Sequence, residues 1–177
     1  DISEIVCFDK PIPCRGNVGM WQMPHSLALE ATSEDLICQA IGHKVKTADD
    51  AARIFRLSVH VVSGCEGFFV LPLDAKKHIL SRPILVSMGT SSTSTVVTAK
   101  DVIAEAMRTG ADYIIVAHNH PSGNPTPSAD DIDVTKRLAE ASRLGDIVLL
   151  DHIVLGAPTA KDGRGFVSIR NLKMIGF

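Results

Sequence analysis

His118 and His120 stand two residues apart at the end of the apolar run YIIVA, and Asp131 follows a loop that carries Pro121, Gly123, Pro125 and Pro127. In an extended strand alternate side chains share a face, so both imidazoles can point at one ion while Asn119 points away. Asp131 falls in the first turn of the helix predicted next, where the positive helix end favours a carboxylate. Two imidazoles and one carboxylate leave a fourth tetrahedral position for water, the pattern of a catalytic rather than a structural zinc site. Zinc there would bring the pKa of that water toward ~7. Plainer readings stand beside this one. An HxH pair alone can serve to satisfy loop carbonyls, and Ser128 with Asp131 has the spacing of a helix capping box. The two roles of Asp131 are compatible, because a cap would also position a ligand.

The elements around this stretch follow from pattern. Thr47 followed by Asp50 opens a helix over 48–57, and Thr98 with Asp101 opens a second that Gly110 closes. The β-branched and aromatic runs 68–73 and 79–88, joined by DAKK, predict a hairpin, with Pro72 and Pro83 arguing for edge positions or bulges. A short apolar strand over 113–117 leads to the two histidines. Ser128 caps a helix running to Leu144, strands follow over 147–155 and 166–169, and a weaker helical pattern lies at 25–40 with Ser33 as a cap for its second half. Residues 1–24 carry five Pro and Gly breakers and read as an irregular lead-in, and 89–95 is a Ser/Thr-rich loop. This order of elements predicts an α/β sandwich.

Composition narrows the function classes. The 177 residues suit one domain, and 18 Lys+Arg against 20 Asp+Glu give a net charge of −2, which gives no support to a nucleic-acid partner. No apolar run approaches the ~20 residues that span a bilayer, so no membrane association is expected. Cys7, Cys14, Cys38 and Cys65 form no CxxC pair, so neither a zinc ribbon nor a redox motif is supported. The absence of a charged-then-apolar leader predicts a trimmed cytoplasmic protein rather than a secreted precursor.

The pattern HxH, seven residues, Ser, two residues, Asp, met by His118, His120, Ser128 and Asp131, resembles the JAMM (MPN-plus, JAB-domain) metallopeptidase signature. HNHPSGNPTPSADDIDVT and LLDHIVLG are similar to the RadC-like branch of that family, and the likeness runs over about 47–171. The resemblance implies a cytidine-deaminase-like JAB/MPN sandwich, a mixed and mainly antiparallel sheet flanked by helices, over 47–177, with 1–46 as an N-terminal extension. It implies Zn2+ held by His118, His120 and Asp131, and a peptide or isopeptide-linked protein as substrate. It also picks out Glu66, just before GFFVLPLD, as the general base, and Ser128 as a donor to the developing oxyanion. By itself Glu66 would read as a solvated strand-end charge.

Asn119, Ser122 and Gly123 read as loop-shaping residues. Asp151 and His152 either orient a ligand or form a core polar pair, and neither reading is favoured. His25, His43, His60 and His78 have no partner at ligand spacing. Two departures from the family pattern stand out. Thr98, Ala99, Lys100 and Asp101 occupy the place of a common Pro-Arg-Glu trio, and no helix-hairpin-helix pattern precedes Thr47. A zinc-dependent peptidase or isopeptidase is therefore the leading expectation. The alternatives are a DNA-associated accessory protein with a non-catalytic zinc site and, more weakly, a metal-dependent nuclease.

Overall fold

The computed structural model describes residues 32–59, 62, 64–89, 97–158, 163–173, 175 and 176. The expectations for 1–24, for the start of the 25–40 helix, for most of the 89–95 loop, and for His25, His60, Cys7 and Cys14 lie outside these residues. Helix α1 (Ser33–Ala40) is capped one residue earlier than expected, by Thr32, whose side chain accepts from the Asp35 amide. Helix α2 (Ala48–Val59) starts where expected: the Asp50 amide donates to Thr47 Oγ1 at 3.2 Å and the Thr47 amide to Asp50 Oδ2 at 2.9 Å. Strands β1 (Gly67–Leu73) and β2 (Ile84–Met88) form the hairpin, and helix α3 (Ala99–Thr109) follows with Thr98 as its cap. Gly110 takes the left-handed conformation that ends α3, at φ 67. Then come β3 (Tyr113–Asn119), α4 (Ala129–Leu144), β4 (Val148–Leu155) and β5 (Phe166–Ser168).

The sheet order is β2-β1-β3-β4-β5, with β3 and β4 parallel and every other pair antiparallel. It is the mixed, mainly antiparallel sheet implied by the resemblance. Strand alternation sorts its side chains onto two faces. Phe69, Leu71, Ile115, Ala117 and Ile153 pack on one face against Ala51, Ala52 and Phe55 of α2. Phe68, Val70, Ile114, Val116 and Leu149 pack on the other against Val102 and Ala106 of α3 and Leu138 and Ala139 of α4. No helix among the described residues is long and apolar enough to cross a membrane.

The proline-based expectation holds for the second run, which ends in the edge strand β2, and is corrected for the first. Strand β1 lies inside the sheet, between β2 and β3, and the irregularity in its pairing with β2 falls between Phe68 and Phe69 rather than at Pro72. Pro72 is tolerated there because its carbonyl accepts from the Leu80 amide at 3.0 Å on the β2 side. The N–H it lacks would point to that same side, where the chain has not yet entered β2, so no bond to β3 is lost. The second run is also shorter than expected. Ile79 makes only an isolated bridge to Leu73, and regular pairing begins at Ile84, after Pro83.

Candidate metal centre

Strand β3 runs two residues beyond its apolar stretch and so delivers His118 and Asn119 in extended geometry, with His120 just past its end. The loop 121–127 then returns the chain to the start of α4, whose N-cap Ser128 and third residue Asp131 form a capping box. The Ser128 amide and hydroxyl both donate to Asp131 Oδ2 at 2.7 Å, and the Asp131 amide donates to Ser128 Oγ at 3.1 Å. One oxygen of the carboxylate is thereby pinned by the cap, and the other, Oδ1, stands 3.2 Å from His118 Nε2.

His118, His120 and Asp131 are the group among the described residues whose donor atoms converge as a metal site requires. His118 Nε2 lies 2.9 Å from His120 Nε2, and His120 Nε2 lies 3.5 Å from Asp131 Oδ2. Ligands about 2.0–2.1 Å from a tetrahedral zinc are about 3.3 Å from one another; the His118 contacts with His120 and with Asp131 Oδ1 lie near that edge, and His120 approaches the other carboxylate oxygen. The far nitrogens of both rings are already engaged. His120 Nδ1 is 2.7 Å from the Asn124 carbonyl, which can only accept, so this ring carries its proton on Nδ1 and leaves Nε2 bare. His118 Nδ1 is 2.8 Å from His152 Nε2. Burial pushes the Asp131 carboxyl up, but the His118 and His120 rings, which donate to it when protonated, and the Ser128 hydroxyl outweigh it and hold it well below the usual carboxylate range. The hydrogen bond to Asp131 raises His120 against the opposing effect of its own burial. The donor set thus fits a divalent ion: two imidazoles aimed inward and one ionised carboxylate.

Glu66 immediately precedes β1. Phe68 pairs with His118 as the last pair of the β1–β3 ladder, with Glu66 two residues before it and His120 two residues after. The Glu66 charge acts on the His120 ring. Asn119, expected only to shape the loop, does something more specific. Its Oδ1 accepts from the Gly67 amide at 2.9 Å and its Nδ2 donates to the Cys65 carbonyl at 2.8 Å. The residue that points away from the ion thus clamps both neighbours of Glu66. Asn119→Ala is expected to lower stability by about 2–3 kcal/mol, because it strands an amide and a carbonyl away from water. On a chain of this size that corresponds to a fall in Tm of roughly 5–10 °C, read by thermal denaturation.

A family model described as RadC-like JAB domain matches residues 45–174. The chain belongs to the RadC-like JAB domain family. Similar proteins include a UPF0758 protein of Geobacillus sp. (strain WCH70), 39% identical over 112 residues, which cover 63% of this chain and 48% of that protein. A UPF0758 protein of Geotalea uraniireducens is 47% identical over 91 residues, covering 51% and 39%. One from Caldanaerobacter subterraneus subsp. tengcongensis is 37% identical over 130 residues, covering 73% and 52%. The chain spans about half the length of the curated relatives it matches, or less.

In this RadC-like JAB domain the two residues left undecided in LLDHIVLG take different parts. Asp151 accepts from the His152 amide at 2.7 Å, the Ser168 hydroxyl at 2.6 Å and the Arg170 amide at 3.1 Å, so it ties β4 to the chain end after β5. Burial raises its pKa against those bonds. His152 turns the other way, to His118, and burial holds its ring pKa well below the ordinary value. They are not a side-chain pair. The divergence traces to the register shift between β3 and β4, where Leu149 faces Ile114 but Asp151 faces Ile115. The extra residue, Leu150, swaps the faces, so His152 shares a side with Val116 and His118, under α4.

The loop that holds His120 is packed tightly against the end of β4. Gly156 backs onto the Gly123 carbonyl and the Pro125 nitrogen so closely that no Cβ would fit. The Gly123 carbonyl accepts from the Ala157 amide at 2.8 Å. Next to it, on the α2 side of the sheet, lies a pocket lined by Arg56, Val59, Asn119, His120, Leu155 and Gly156, so of the three donor residues His120 alone borders it. Of the remaining histidines, His78 bonds locally, its Nδ1 lying 2.9 Å from Asp74 Oδ2.

Proposed function

We propose that this chain is a zinc-dependent hydrolase of an amide bond, acting as a peptidase or isopeptidase on a peptide or an isopeptide-linked protein. The observation that carries this reading is the convergence of His118 Nε2, His120 Nε2 and the Asp131 carboxylate, with Glu66 immediately before the neighbouring strand β1. A divalent ion bound there would polarise the scissile carbonyl and acidify the attacking water. His118 and His120 present bare Nε2 atoms, and Asp131 adds the charge that makes the site selective for a cation. Glu66 takes the proton of the attacking water and returns it to the leaving amine. Ser128 Oγ donates to Asp131 Oδ2 at rest. A rotation about its Cβ–Oγ bond turns the same proton to the developing oxyanion, while Oγ still accepts from the Asp131 amide and the Ser128 amide keeps its own bond to Asp131.

Elemental analysis of protein expressed in metal-replete medium, coupled to a screen of peptide and isopeptide substrates with Glu66→Gln as the blank, tests the reading. About one zinc per chain is expected, as for an open three-ligand site. A folded protein that takes up no zinc would overturn it.

A further inference from the structure

We propose that His152 and Thr135 are positioning residues of the metal centre, which set the tautomer of His118 and tie two ligand-bearing elements together; this rests on the metal reading above. The direction of every bond in the chain is decided at its far end. Thr135 Oγ1 has one proton, and it lies 2.5 Å from the Asp131 carbonyl, which can only accept. The proton therefore goes there. The 2.6 Å contact between Thr135 Oγ1 and His152 Nδ1 must then be donated by the ring N–H. In the neutral imidazole that makes Nε2 the acceptor, so the 2.8 Å contact with His118 Nδ1 is donated by His118. His118 Nε2 is left as a lone pair facing His120 and Asp131. Were the chain to run the other way, His118 would carry its proton on Nε2 and have nothing to offer an ion.

The chain also closes on itself. It runs from β3 to β4 to α4 and ends on the backbone of Asp131, whose side-chain Oδ1 stands 3.2 Å from the His118 Nε2 at which it began. Two of the three ligand-bearing residues are thus joined by one chain of hydrogen bonds. His118 is 1% exposed and Thr135 and His152 are 0% exposed, so no solvent competes for these bonds. Phe68 adds a steric wall: its ring lies parallel to His118 at 6.1 Å between centroids and edge-on to His152 at 5.3 Å. His120 has no comparable support, because its Nδ1 leans on the carbonyl of exposed Asn124. The centre therefore pairs one preset imidazole with one carried by a loop.

The test is the zinc affinity of the whole chain, measured by competition with a chromophoric chelator, together with imidazole 15N shifts of the metal-free protein. Thr135→Val keeps the shape and removes the hydroxyl. It is expected to weaken zinc binding by about 10–100-fold, the usual effect of losing an outer partner, while Thr135→Ser stays near wild type. His152→Gln, whose amide oxygen can accept from His118 Nδ1, is expected to bind zinc more tightly than His152→Phe, which cannot. In the metal-free wild type His152 is expected to carry its proton on Nδ1. Wild-type affinity in folded Thr135→Val, or a His152 protonated on Nε2, would overturn the proposal. A wild type that takes up no zinc overturns the metal reading instead, and the 15N shifts still decide the direction of the chain.

Discussion

His118→Ala is expected to leave the purified protein without stoichiometric metal, with zinc affinity reduced by more than the ~10–100-fold that an outer partner costs. The ring supplies the donor at the centre of the ligand set: its Nε2 lies 2.9 Å from His120 Nε2 and 3.2 Å from Asp131 Oδ1. Its removal leaves one imidazole on a loop and one carboxylate half committed to a helix cap, too few ligands for a tetrahedral site. Truncation also opens a cavity between Phe68 and His152 and strands His152 Nε2, a structural cost of about 2–5 kcal/mol. Asp131→Asn separates the two effects. It keeps an oxygen to accept from the Ser128 amide and keeps the core intact, yet removes the ligand charge. Elemental analysis of both variants, with melting curves to show that each is folded, gives the answer. Stoichiometric zinc in folded His118→Ala would remove that residue from the ligand set. Acid acts in the same direction. The bond to Asp131 raises the His120 pKa, so a proton competes for its Nε2 from higher pH than on a free imidazole, and zinc binding weakens as pH falls.

The grouping of His118, His120 and Asp131 is readable because each member obeys a local rule. Alternation along a strand put His118 and His120 on one side, and the Ser128–Asp131 spacing put a carboxylate at a helix start; both rules span fewer than five residues. What was not readable depends on which strands meet. The contact of His152 with His118 joins residues 34 apart and that with Thr135 joins residues 17 apart, through the parallel β3–β4 pairing and the shift that swaps faces at Leu150. Nothing in the text LLDHIVLG says which of Asp151 and His152 turns to the site; the bulge between β3 and β4 decides it. Asn119 was similar. Its part beside Cys65 and Gly67 comes from the antiparallel neighbour, 52 and 54 residues away. Pro72 misled for a related reason: a missing N–H is a fact about one side of a strand, and sequence does not show which side is open. The clue that could have helped was GFFVLPL itself, apolar at every position, as a strand covered on both faces must be.

Glu66→Gln is expected to abolish hydrolysis of any amide substrate while leaving zinc in place. Glutamine keeps the size and polarity of the side chain but cannot take a proton, so a general base is removed without a cavity and without loss of a ligand. The expected fall in rate is at least the ~10²–10⁴-fold attributed to general base catalysis. Glu66 is suited to that part by its mounting. The residues on either side of it are bonded to Asn119, the Gly67 amide to Oδ1 and the Cys65 carbonyl to Nδ2, while its own carbonyl accepts from the Gly89 amide at 2.8 Å. Its backbone is therefore fixed on both sides relative to β3, the strand that carries His118. Metal content and turnover must be read on the same preparation, because the two outcomes that matter differ in one of them only. A variant that loses zinc makes Glu66 a ligand and returns Asp131 to the capping role that its spacing with Ser128 already explains. A variant that keeps zinc and keeps wild-type turnover makes some other group the base, and the clamp around Glu66 then serves the hairpin rather than the reaction.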